Sequence, residues 1–212
     1  MKDFSVPMAL VDYVPVILFC IATVILIRDM YNKMSKGAFA LFAAGTIDVI
    51  AAGTLKATYK LLYALGLCDF ERLSDVFFPM QSLGFLLAGI GMFALICHKQ
   101  TEVTAAAAVA PPFFSGTFVF VGCMVAGLAL MDVGLAIMAG KLRKHVVIIF
   151  LVVSFICSLG MGYLSSKDFA EAAMNWIAQG VNIAGQGTLL ISAIVMHKNG
   201  LLELRLHGGE IV

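Results

Sequence analysis

Thr101-Glu-Val-Thr-Ala-Ala-Ala-Ala-Val-Ala-Pro-Pro-Phe-Phe114 is the stretch on which the fold turns. It carries one charge, Glu102, followed by four alanines, Ala105 to Ala108, and the pair Pro111 and Pro112. As a helix, these 14 residues reach only about 21 Å at 1.5 Å per residue, against a hydrocarbon core of roughly 30 Å. Hydropathy therefore leaves two readings, a loop between six membrane helices or a short, proline-broken seventh span.

Around this stretch lie unmistakable spans: Val6–Ile27, Ala38–Leu65 and Phe77–Cys97 before it, and Thr117–Ala139, Val146–Leu164 and Met174–Met196 after it. Hydrophobic residues make up 61% of the 212 positions and charged residues 13%, where a soluble domain carries about 25% charged. No water-facing surface can be assembled from that mixture. The runs lack the alternation of a barrel strand, so each must satisfy its own backbone hydrogen bonds as a helix. The expected fold is all-α, a polytopic membrane helix bundle forming a single transmembrane domain over 1–212. A short cytoplasmic tail, 197–212, follows the last span. Met1 to Val6 have no cationic leader region and no A-x-A site follows the first run, so the first helix is expected to be retained.

Charge decides between the two readings, because Lys and Arg near helix ends collect on the cytoplasmic side. With six spans, the basic loops Arg28–Lys36 and Lys141–Lys144 face opposite sides. With seven, Arg28, Lys33, Lys36, Lys99, Lys141, Arg143, Lys144, Lys198 and Arg205 share one face, leaving Lys2, Arg72 and Lys167 on the other. Seven spans are therefore expected, with the N-terminus outside, the C-terminus cytoplasmic and the plasma membrane as location; six is the alternative.

An internal echo points the same way. Asp69-Phe70 precedes the third span and His98-Lys99 closes it; Asp168-Phe169 and His197-Lys198 flank the last span at the same spacing. Two parallel three-helix repeats, 6–99 and 117–198, joined by a linker at 101–114, would place these pairs alike. In topology this three-plus-one-plus-three layout is similar to that of the SWEET sugar transporters, a parallel-repeat architecture. None of the proline-glutamine motifs of the wider family is present, so the resemblance is architectural and carries no residue roles.

Ionisable groups inside a bilayer are costly, roughly 2.5–3.5 kcal/mol at a helix centre, and each is a functional hypothesis by default. Asp48 lies near the middle of the second span, and Asp132 is expected at similar depth in the span Thr117–Ala139. Facing inward, the two could share a cation or a proton. Lys56 and Lys60 follow Asp48 at multiples of four on one helical face. Lys60 is expected to snorkel to the interface, leaving Lys56 as an anion contact.

The last span carries Asn175, Gln179, Asn182 and Gln186 on a single face, with Trp176 at its outer start. Four unpaired amides in hydrocarbon would be expensive. That face must look onto other helices, water or a ligand, and a hydrated path is the preferred expectation over interhelical bonding. Gln81 sits just after Pro79 in the third span, a combination that marks a bent helix near a site. The small-residue ridges through Gly45 and Gly53, Gly89 and Gly91, and Gly185 and Gly187 are read as close helix contacts.

Several chemistries are excluded. The five cysteines form no C-x-x-C pair, and no two of His98, His145, His197 and His207 stand at i, i+4, so no metal site and no cofactor are implied. A net charge of +1 gives nucleic-acid binding no support. The leading expectation is a small transporter or permease for a cationic or neutral solute, not an enzyme, with Asp48 central, Asp132, Lys56, Gln81 and Trp176 nearby, and the amides lining the path. The alternatives are a membrane-embedded enzyme using the aspartate pair on a lipid or peptide, and a non-transporting sensor or assembly subunit. Membrane lipids and a small solute are the expected partners, with a homo-oligomer or a separate signalling subunit as further options.

Overall fold

The computed structural model describes residues 5–70, 72–97, 117–164 and 172–204. Within them the chain is helical, with no strand. The elements are α1 (Val6–Val11), α2 (Tyr13–Met30), α3 (Lys36–Ala64), α4 (Arg72–Asp75), α5 (Phe77–Cys97), α6 (Thr117–Lys141), α7 (His145–Leu164) and α8 (Ala172–Lys198). Five helices are long and apolar enough to cross a membrane, counting α1 and α2 together, and α7 supplies a shorter apolar helix, His145–Met161. The protein is a multi-pass membrane protein. Thr101–Phe114 lies outside the described residues, as do His98, Lys99, Asp168 and Phe169 of the internal echo.

The helix ends follow from local chemistry. Ser5 caps α1 and Ser35 caps α3, the latter accepting from the Ala38 N–H at 3.2 Å. The first span is not one continuous helix, because Pro15 has no N–H to return to the Val11 carbonyl. Only Asp12 leaves the helical hydrogen-bond pattern, its backbone staying helical (φ −59°, ψ −24°), and the chain continues as α2. Pro79 has no such effect. It falls in the first turn of α5, where a missing donor costs nothing, so α5 is unbroken through Gln81. α3 ends where Gly66 turns left-handed (φ 67°), letting Leu67 donate to the Leu62 carbonyl at 3.1 Å.

The six long helices close into a ring in which α2, α3, α5, α6, α7 and α8 each pack on the next, and α8 returns to α2. Their directions can be read from paired residues. Gly45 meets Gly84 and Ala88, while Gly91 meets Ala38 and Phe42, so α3 and α5 are antiparallel. By the same logic α7 runs against α8, with Gly185 at Cys157 and Gly160 at Val181. Phe78 touches Phe120, Gly127 lies on the Phe85 backbone and Gly134 lies on Met92, so α5 and α6 are parallel. α2 and α8 are parallel as well, since Asp12 and Asn175 meet through Lys60 at one end and Asp29 meets His197 at the other.

These directions collect Arg28, Lys33, Lys36, Lys141, Arg143, Lys144 and Lys198 at one end of the bundle, called here the Asp29 end. The Asp12 end holds Asp69, Arg72 and Asp75. Between them the interior is uneven. Toward the Asp29 end it is filled by fully buried Met30, Phe42, Met92, Leu135, Met138 and Met196. Phe19 and Phe85 touch edge to face at 5.8 Å between centroids near mid-height. Toward the Asp12 end, buried polar side chains take over.

Candidate functional site

The polar region is built where α2, α3 and α8 meet. The Asp12 carboxylate lies 2.7 Å from the Lys60 ammonium of α3, with both side chains 10% exposed. The same ammonium donates to the Asn175 Oδ1 at 3.3 Å. Lys60 therefore does not snorkel to the interface: a buried acid and an amide inside the bundle hold it more strongly than water at the rim. Beside this pair Tyr13 and Thr58 share a hydrogen bond at 2.8 Å, and Tyr59 donates to Asp69 at 3.2 Å.

One turn deeper on α3, Lys56 lays its ammonium over the Phe77 ring, 4.0 Å from the centroid, with Lys60 and Asp12 as charged neighbours. One turn deeper on α8 comes Gln179, 6% exposed, whose Oε1 is buried without a hydrogen-bond partner. The Gln186 Oε1, two turns further, is in the same condition. Asn175, Gln179, Asn182 and Gln186 share one face of α8, and that face continues through Ala193 to His197. The stripe is thus bounded by Lys60 at one end and Asp29 at the other. Gln81 is half-buried on the face of α5 that also carries Phe85 and Met92, while Trp176 is 46% exposed and faces outward.

At the far end, the His197 Nδ1 lies 2.9 Å and 3.0 Å from the two Asp29 oxygens. Lys33, in the turn between α2 and α3, donates to the Leu202 carbonyl. Burial holds the Lys33 ammonium below its usual range, opposed first by Asp29 and then by Glu203. Leu201 is fully buried, so the turn after α8 is tied down beneath the α2–α8 seam.

The structure does not bring Asp48 and Asp132 together. Measured along α5, which packs on both α3 and α6, Asp48 is level with Gly84 and Asp132 with about Ile90, roughly 10 Å lower. Asp48 is half-buried on α3, whereas Asp132 is 7% exposed on the α7 side of α6. No group of three or more His, Cys, Asp or Glu able to hold a metal occurs among the described residues.

None of Asp12, Asp29 and His197 was read from the sequence as a site residue. Asp12 had a signal, an acid three residues before a proline inside an apolar run. The Asp29–His197 contact had none, because its partners stand 168 residues apart. No family model, curated protein or solved structure matches this chain.

Proposed function

We propose that the chain is a small permease that moves a polar solute along the seam of α2, α3 and α8. The observation that carries this reading is the pair of buried, unbonded amide oxygens of Gln179 and Gln186, on the face whose ends meet Lys60 and Asp29. A buried acceptor without a donor costs about 1–3 kcal/mol, and a solute or water bearing O–H or N–H groups removes that cost. Lys56 and Lys60 beside Asp12 favour a neutral, donor-bearing solute over a cation there. Asp48 is then peripheral to the path, and Lys60 with Asp12 takes the central role. The aspartate-pair enzyme loses its geometric support with the acids roughly 10 Å apart in depth.

The topology of this reading has seven crossings. Cys97 and Thr117 stand at opposite ends of the parallel α5 and α6, which supports a seventh crossing between them. Nineteen residues reach about 28 Å as a helix and about 65 Å extended, enough for either. Each half then runs in the same three directions, and the contacts α5–α6 and α8–α2 become equivalent under a two-fold axis along the membrane normal. The basic Asp29 end faces the cytoplasm of a plasma membrane.

The reading is tested by replacing the native cysteines and placing single cysteines along α8, then labelling intact membranes with a water-soluble thiol reagent. Labelling of Gln179→Cys, Asn182→Cys and Gln186→Cys, with Ala184→Cys silent on the exposed face, is expected. If none of the three is labelled, the seam is dry and the assembly-subunit reading replaces the permease.

A further inference from the structure

Three helices of the bundle end in the same turn. After α3, the Gly66 N–H donates to the Tyr63 carbonyl and Leu67 to Leu62; after α8, Gly200 donates to His197 and Leu201 to Met196; after α6, Arg143 donates to Gly140 and Lys144 to Ala139. This pair of hydrogen bonds puts the first residue in the left-handed region and favours an apolar residue next. At α3 and α8 both preferences are met, by glycine at φ 67° and 87° followed by leucine. At α6 neither is. Arg143 holds φ 55°, the sole positive φ of a non-glycine among the described residues, and Lys144 follows it. A Cβ in that conformation crowds the backbone, so the turn would close more favourably on Gly-Leu than on Arg-Lys.

Both cations are exposed, and neither has an ion-pair partner among the described residues. No Asp or Glu occurs between Asp132 and Asp168, so nothing nearby in the chain offsets them. Orientation in the membrane asks only for Lys and Arg somewhere at this end, and Arg28, Lys36 and Lys198 supply those from helical positions. It does not ask for a cation at a left-handed one. Directly below the turn, Val146, Ile149, Val152 and Ile156 of α7 are each more than half exposed. From Val146 to Ile156 this face runs about 15 Å, half of a roughly 30 Å hydrocarbon core.

We propose that the α6–α7 turn binds the headgroup of an anionic phospholipid, whose acyl chain lies along the Val146–Ile156 face of α7. Arg143 and Lys144 pair with the phosphate oxygens. A zwitterionic headgroup brings a cation of its own against them, and a soluble anion gains nothing from the apolar face beneath. A lipid of net negative charge satisfies both parts.

The test uses the purified full chain in lipid nanodiscs, with Trp176→Phe removing the single native tryptophan and Ile149→Trp placing one beneath the turn. Fluorescence quenching by phosphatidylglycerol brominated on its acyl chains, against brominated phosphatidylcholine, gives the relative affinity of the two lipids at that place. A preference for phosphatidylglycerol of at least about fivefold is expected, the effect of one cation beside an anionic headgroup. Arg143→Gln with Lys144→Gln is expected to remove it. Arg28→Gln with Lys198→Gln takes the same charge from the α2–α8 side of that end and is expected to leave the preference unchanged. Arg143→Gly separates recognition from architecture: the melting temperature holds or rises, because glycine suits the turn, while the preference falls. Equal quenching by the two lipids in the parent chain, a preference kept without Arg143 and Lys144, or an equal loss without Arg28 and Lys198 overturns the proposal. So does a lower melting temperature in Arg143→Gly, which would make the arginine a structural part of the turn. Should the Arg143–Lys144 double variant fail to fold, Arg143→Gly decides alone, and an unchanged preference there overturns it. Solute uptake plays no part in the readout, so this result is independent of the permease reading.

Discussion

The two halves of the ring meet at two seams made of different materials. At α5–α6 the contact is backbone on backbone: a Cβ added at Gly127 would collide with the Phe85 carbonyl, and one at Gly89 with the Gly127 carbonyl. At α2–α8 the contact is polar at both ends, Asp12–Lys60–Asn175 and Asp29–His197, with amides between. Close backbone packing has no second arrangement to move to without losing all its contacts at once. Hydrogen bonds between side chains can be exchanged one at a time for water or solute. On the permease reading, this difference makes α5–α6 the fixed seam and α2–α8 the one that opens.

The largest effect expected from breaking this contrast is at Lys60. Lys60→Met strands the buried Asp12 carboxylate and should cost roughly 3–5 kcal/mol, read as a fall in melting temperature, while adding Asp12→Asn should recover most of it. A failure to recover would mean that Lys60 is held by packing and not by its charge. Gly127→Leu comes next, at about 3 kcal/mol, because the obstacle is the α5 backbone and cannot rotate away. It should reduce assembled protein in detergent without changing any pH response.

Gln179→Leu separates structure from transport by sign. Removing a buried oxygen that has no partner should leave stability unchanged or raise it by about 1 kcal/mol, while uptake is lost. A clear destabilisation would show that the amide glues helices together. His197→Gln should cost under about 1 kcal/mol, since the imidazole is partly solvated; faster amide exchange near Asp29, with none near Asp12, would mark it as a local clasp.

The smallest effect concerns Lys33. Its pKa is lowered in the folded protein, so the unfolded chain binds more protons just below 10.5, and stability should rise with pH through that window. Comparing denaturant midpoints at pH 8 and pH 10.5 in the native protein and in Lys33→Met checks this, the rise being smaller in the variant.

Periodicity alone was enough to say which residues share a helix face. Asn175, Gln179, Asn182 and Gln186 do share a face, because 3.6 residues per turn fixes that without any neighbour. It failed where an answer depended on which helix stands opposite. Lys60 looked like a snorkelling rim residue because its partner is separated from it by the rest of α2 and most of α3. Asp48 and Asp132 looked like a pair because each was measured from its own helix end, whereas α5, as a common ruler, puts them about two turns apart.

By itself the sequence determined that this chain is helical and crosses a membrane several times, since a composition of 61% apolar residues in long runs leaves the backbone no other way to satisfy its hydrogen bonds. It also determined the amide stripe. Tertiary structure alone decided what the stripe faces, that Asp12 meets Lys60, and that α5 and α6 run in the same direction. These are facts about the relative placement of helices, and in a bilayer that placement is set by close packing and a few polar contacts between residues far apart in the chain, neither of which hydropathy records.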